Sequence, residues 1–100
     1  MFVLAKIRWL RPDEGGRLVP PQGQQYSTVA KFEGQSEEDW LTEAWSLVLN
    51  LDESLTETWT QTARVRFLAD EARAPIHWLR SGTRFALFEG PRKVAEGIVL

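Results

Sequence analysis

Lys6 and Arg8, and again Arg64 and Arg66, are cations spaced two residues apart within runs that alternate apolar and polar side chains. On an extended chain such pairs share one face, opposite the apolar residues. If the two runs are neighbours, four cations meet on one exposed surface. That is chemistry for holding phosphate, RNA or an acidic protein. The plain alternative is a solvated strand face that offsets nearby carboxylates and discourages edge pairing. Trp40 and Trp59 are the other binding candidates among five tryptophans, because each stands among acidic and threonine residues rather than in an apolar run. Indole left partly exposed is enriched at interaction surfaces, whereas the same residue can instead cap a barrel end. Glu37, Glu38 and Asp39 offer carboxylates without the alternating oxygen ligands and spaced glycine of a calcium loop, so a solvated loop is expected. His77 is the single histidine and lacks the further ligands of a zinc site. There is no GxSxG elbow and no cysteine, which leaves no thiol nucleophile, disulfide or thiolate ligand. No catalytic residue, metal or cofactor is assigned.

The elements that would position these residues are mainly strands. Val3, Ala5, Ile7 and Trp9 alternate with Leu4, Lys6 and Arg8, and Arg11–Gly16 then supplies turn chemistry through Pro12 and two glycines. Pro20 and Pro21 make Leu18–Gln24 a connection, and Gln25–Phe32 reads as a second strand. Ser36 followed by Asp39 imitates a helix cap, so the segment 36–51 is open to two readings. Trp40, Leu41, Ala44, Trp45, Val48 and Leu51 would share a helical face. Alternation of Trp45, Leu47, Leu49 and Leu51 instead favours a strand over about 44–51 after a short helical turn at 37–41. Thr56, Thr58, Thr60 and Thr62 alternate ahead of Ala63, Val65 and Phe67, which favours β structure throughout. Ile76, Trp78 and Leu79 form a short apolar anchor, and Ser81-Gly82 turns the chain into the last hairpin. Short strands at these intervals, without a long helix, point to a sandwich or a closed barrel.

The final hairpin RFALFEGPRKVAEGIVL, turned at Gly90 and Pro91, resembles the end of the C-terminal barrel of elongation factor Tu. Arg84, Phe85, Ala86, Glu89, Gly90, Arg92, Val94 and Gly97 match that family's pattern, while Pro91, Lys93 and Glu96 depart from it. The opening run VLAKIRWL, the turn Glu14-Gly15-Gly16-Arg17 and GQQYSTVAKF are similar to that domain's first hairpin. The resemblance implies a closed six-stranded antiparallel barrel in which Glu14, Gly15, Gly16, Arg17, Arg84, Glu89, Gly90 and Gly97 are turn and fold determinants. The family's barrel follows a second barrel and a GTPase domain and helps to hold aminoacyl-tRNA and the exchange factor. This chain has no GxxxxGK[ST] loop, so nucleotide hydrolysis is not implied. Glu33–Asp39 places acid where the family has a basic, threonine-rich segment, an exchange that repels phosphate.

A length of 100 residues fits one domain over 1–100, with enough chain to bury a core. Twelve Lys and Arg against fourteen Asp and Glu argue against a general nucleic-acid binder relying on net positive charge. Lys6 and Arg8 interrupt the first apolar run, and no stretch is long enough for a spanning helix. A cytoplasmic, complete stand-alone chain with no membrane partner is expected. The functional expectation is a non-enzymatic all-β barrel contacting a protein partner or a second copy of itself. The alternative is RNA binding through the Lys6, Arg8, Arg64 and Arg66 face.

Overall fold

Six strands close into an antiparallel barrel in the computed structural model, which describes all residues 1–100. In chain order they are β1 (Val3–Trp9), β2 (Gln25–Phe32), β3 (Trp45–Asn50), β4 (Thr60–Phe67), β5 (Arg84–Glu89) and β6 (Arg92–Val99). Around the barrel the order is β1, β4, β3, β2, β5, β6, with β6 pairing back onto β1. Closure leaves no free sheet edge. One short helix, α1 (Glu37–Thr42), lies between β2 and β3. No helix is long and apolar enough to cross a membrane.

Alternation sets the inside. Ala5, Ile7 and Trp9 of β1, Leu47 and Leu49 of β3, and Ala63, Val65 and Phe67 of β4 are buried together with residues of the other three strands. Period-two patterning can do this because one face of every strand looks into the barrel. β6 adds an irregularity. Its register with β5 shifts between Leu87 and Phe88, so that Leu87 pairs with Ala95 and Phe88 with Lys93. Val94 is the extra residue, and the bulge lets both Val94 and Ala95 be fully buried in succession.

β1 and β2 lie on opposite sides of the barrel, as do β4 and β5. The connections 10–24 and 68–83 therefore cross its two ends. At the end where β1 begins and β6 finishes, Ala74 and Leu79 of the 68–83 crossing enter the core beside Phe32, Phe67 and Phe85. At the other end Trp9 meets Tyr26 edge-on, with ring centroids 5.2 Å apart.

The ambiguous segment contains both elements. Ser36 Oγ accepts the Asp39 N–H at 3.0 Å and starts α1, after which the chain extends into β3. Val48 is buried although it lies on the face opposite Leu47 and Leu49. The threonine alternation, by contrast, is strand only from Thr60 onward. Thr56–Thr58 belong to a turn closed by Trp59 N–H to the Thr56 carbonyl, with Trp59 at φ 59°, the one left-handed residue other than glycine. The Thr56 and Thr60 hydroxyls bond to each other across this turn at 2.7 Å, so the polar face that suggested a strand satisfies itself locally.

Candidate functional site

β1 and β4 are neighbours, and the four cations of the basic face share their outer surface. Their register staggers them, however: Lys6 faces Thr62, Arg8 faces Thr60, and Arg64 faces Leu4. Arg66 faces Val48 of β3 on its other side. Carboxylates take up half of the charge. Arg8 bonds Glu14 at 2.9 Å and Glu96 at 2.6 Å, and Arg64 bonds Asp52 at 2.6 Å. Lys6 and Arg66 make no ion pair. A phosphate approaching this face meets two free cations rather than four.

Trp40 and Trp59 are both half-buried. The Trp40 indole donates to the Ala30 carbonyl at 3.0 Å and stacks at a tilt on Phe88, 4.8 Å between centroids. Trp59 packs against the core at the β1-exit end and carries the Arg11 guanidinium 4.8 Å above its ring. Both indoles thus have intramolecular work, and each already carries a cation of this chain over its ring, Arg11 on Trp59 and Lys31 on Trp40 at 5.5 Å.

The turn residues converge with the final hairpin. Glu14 accepts the Arg11 backbone N–H at 3.0 Å, and this bond, followed by the Arg8 guanidinium, holds its carboxyl below the usual carboxylate range. A Cβ on Gly16 would lie 2.1 Å from the Leu10 carbonyl oxygen, so the turn packs directly on backbone. Arg17 then pairs with Glu89, which also accepts the Tyr26 hydroxyl. Gly90 at φ 62° and Pro91 complete a two-residue turn between Glu89 and Arg92, with glycine where the backbone is left-handed. Arg84 pairs with Ile98 and is exposed.

Burial first, and then the bond to Glu89, push the Tyr26 phenol well above its ordinary value of about 10. A raised phenol favours the fold fully below pH of about 10, where the unfolded residue is also protonated, and that contribution is lost as pH rises toward the folded value. Tyr26 is the single tyrosine, so its titration can be read without overlap. Tyrosinate absorbance is expected to appear together with the loss of far-ultraviolet circular dichroism rather than before it. Glu89→Gln should bring ionisation to lower pH. Ionisation at the ordinary value with the fold intact would rule out this linkage.

Two surfaces at the end where β1 begins complete the picture. Phe2, Leu4, Leu68 and Leu100 are each about half exposed or more. Leu100 N–H bonds the Leu4 carbonyl at 2.9 Å, and the Arg64 guanidinium sits 5.2 Å from the Phe2 ring centroid. Met1, Leu68 and Ile76 share a small depression of about 270 Å³ beside them. On the other side of the same end, an open groove of about 820 Å³ runs between α1 with its preceding turn and the 68–83 crossing. Trp45 and Trp78, both half-buried, and Phe32 supply its aromatic surface, while Glu33, Glu38, Asp39 and Glu43 supply acid. His77 also borders it. Of the tryptophans singled out by sequence neighbourhood, neither lines this groove. Trp45 and Trp78 alternate or cluster with core residues and look wholly internal in sequence. Their position at the strand start and at the barrel mouth is the signal that would have separated them.

No family model matches this chain, and no curated protein matches it in sequence. The class it defines is structural: an all-β, closed six-stranded antiparallel barrel with a short helix on one connection.

Proposed function

We propose that this chain is a non-enzymatic, cytoplasmic interaction barrel similar to the C-terminal domain of elongation factor Tu, and that it binds another protein or a second copy of itself. One observation carries the reading: Phe2, Leu4, Leu68 and Leu100 are all exposed at one end of a barrel whose interior is already filled, with Leu4 and Leu100 side by side on hydrogen-bonded backbone. Exposed apolar residues scattered singly are ordinary, whereas a contiguous set rimmed by charge marks contact with a partner. Free Lys6 and Arg66 border this surface and suit a partner with carboxylates at its rim. The strand order, the Gly90 turn and the joined Arg17 and Glu89 are compatible with the family resemblance, and the translation-related reading rests on that resemblance.

Leu4→Glu tests the reading because Leu4 faces outward and its replacement leaves the core untouched. Wild-type protein is expected to rise in mass with concentration in size-exclusion chromatography with light scattering, or to retain a defined protein from native cytosol. Leu4→Glu should lose either behaviour while keeping its circular dichroism. A strict monomer at high concentration removes self-association. Retention of tRNA that is released at moderate salt and lost in Arg66→Glu, but not in Leu4→Glu, would favour the RNA alternative instead.

A further inference from the structure

The groove between α1 and the 68–83 crossing combines two kinds of group that act on the same ligand. Indole and phenyl faces attract cations through the ring quadrupole, and carboxylates do so through charge. Phe32 and Trp78 stand 5.2 Å apart at one end of the groove, and Trp45 lies where β3 begins. Glu33, Glu38, Asp39 and Glu43 border them, against a single guanidinium, Arg80.

Unpaired acid gathers in this groove: four of the eight carboxylates that no cation meets line it. Of fourteen carboxylates, Glu14, Glu37, Asp52, Glu71, Glu89 and Glu96 are paired with a cation. None of the four in the groove is. Glu37 on the same helix illustrates the difference, because it turns away from the groove and bonds Lys31 at 2.8 Å. Helix N-terminal stabilisation accounts for Glu38 and Asp39, which lie in the first turn of α1. It does not account for Glu33, before the helix, or for Glu43, after its last turn, where a carboxylate opposes the helix dipole.

We propose that this groove docks a basic segment of a partner protein, with an arginine or lysine side chain laid across Trp45 and Trp78 and its charge met by Glu33, Glu38 and Glu43. A chain segment fits better than a small molecule. The volume is within the usual range for either, but small-molecule sites bury most of their ligand within predominantly apolar walls, and this groove is open and mostly polar. The inference is independent of the apolar surface around Leu4, so failure of one leaves the other standing.

Amide and indole N–H chemical shifts of the full chain, followed during titration with a capped hexa-arginine peptide, provide the test. Shifts are expected at residues 33–35, 38–43 and the Trp45 and Trp78 indoles, with affinity falling as salt is raised. The double variant Glu38→Gln, Glu43→Gln should weaken binding by about ten-fold or more, with its remaining resonances superposable on those of wild type. Both side chains are exposed, make no ion pair and lie outside the core, so the barrel does not depend on them. Shifts spread equally over acidic sites outside the groove, such as Asp13, Glu53 and Glu57, would overturn the proposal. So would unchanged affinity in the double variant. Spermidine binding as tightly as the peptide at the same residues would assign the groove to small polycations and equally overturn it.

Discussion

Trp9→Ala is expected to destabilise the barrel by about 3–5 kcal/mol, as is usual when a large aromatic is removed from a core. Trp9 is only 1% exposed and is the largest of the fully buried side chains. Its indole donates to Gln61 Oε1 at 2.7 Å across the β1–β4 pair, and its edge contact with Tyr26 seals the end of the barrel where 10–24 crosses. Truncation leaves a cavity among residues of four strands that cannot collapse, because the closed ladder fixes their spacing. With domain stabilities of about 5–15 kcal/mol, the loss is a large share of the total. The melting temperature followed by far-ultraviolet circular dichroism should fall by about 15 °C or more. Trp9→Phe retains most of the ring packing and loses the bond to Gln61, so it should fall by less than half as much. A drop under about 5 °C for Trp9→Ala would mean that the end of the barrel is sealed by Tyr26 and Trp59 without it.

Trp9 was legible as a core residue because a strand that exposes one face writes its burial into every second position. The same period marks Ala63, Val65 and Phe67, and the Ser36 to Asp39 cap is written in consecutive residues. Local patterns therefore carried the strand positions, the final hairpin and the short helix. They could not separate Thr56 and Thr58 from the strand they precede, since alternation in a turn and alternation in a strand look alike until Trp59 adopts a left-handed conformation. The bulge at Val94 breaks the period through a register shift with β5, which is a property of two strands and not of one.

The candidate surfaces were legible in proportion to how local they are. That Lys6, Arg8, Arg64 and Arg66 share a face follows from spacing and from the pairing of β1 with β4. That Arg8 is occupied follows from Glu14 in the turn just after β1 and from Glu96, 88 residues away, and no pattern near Arg8 announces the second. The groove is more distributed still. Phe32 to Gln35, the α1 acids, Trp45, and Trp78 to Thr83 come together only because β2, β3 and β5 are adjacent at one barrel end. In sequence, the acidic run looks like a solvated loop and Trp78 like an anchor. Only closure of the barrel sets one beside the other.

Gly97→Ala is the second substitution with a large expected effect, and its cause can be isolated. Gly97 pairs directly with Phe85 on one side and Ile7 on the other. A Cβ there would lie 2.3 Å from Phe85 Cζ and 2.5 Å from Cε2, so the ring occupies the space that a side chain would need. Phe85 cannot easily yield: it is 4% exposed and rests 5.8 Å from the Phe32 ring. The Gly97 backbone is not left-handed, so alanine suits the strand itself and by restricting the unfolded chain would favour folding by about 0.4–1 kcal/mol. Overpacking of about 1–3 kcal/mol outweighs that gain. Guanidinium denaturation should therefore show a net loss for Gly97→Ala that disappears or reverses in a Phe85→Leu background, with a coupling of at least about 1 kcal/mol between the two sites. Gly16→Ala provides the contrast, because its Cβ would strike the Leu10 carbonyl and no side-chain replacement can clear a backbone atom. If the effects of Gly97→Ala and Phe85→Leu simply add, the ring is not what keeps this position glycine, and the pairing with Ile7 on β1 must carry the constraint instead.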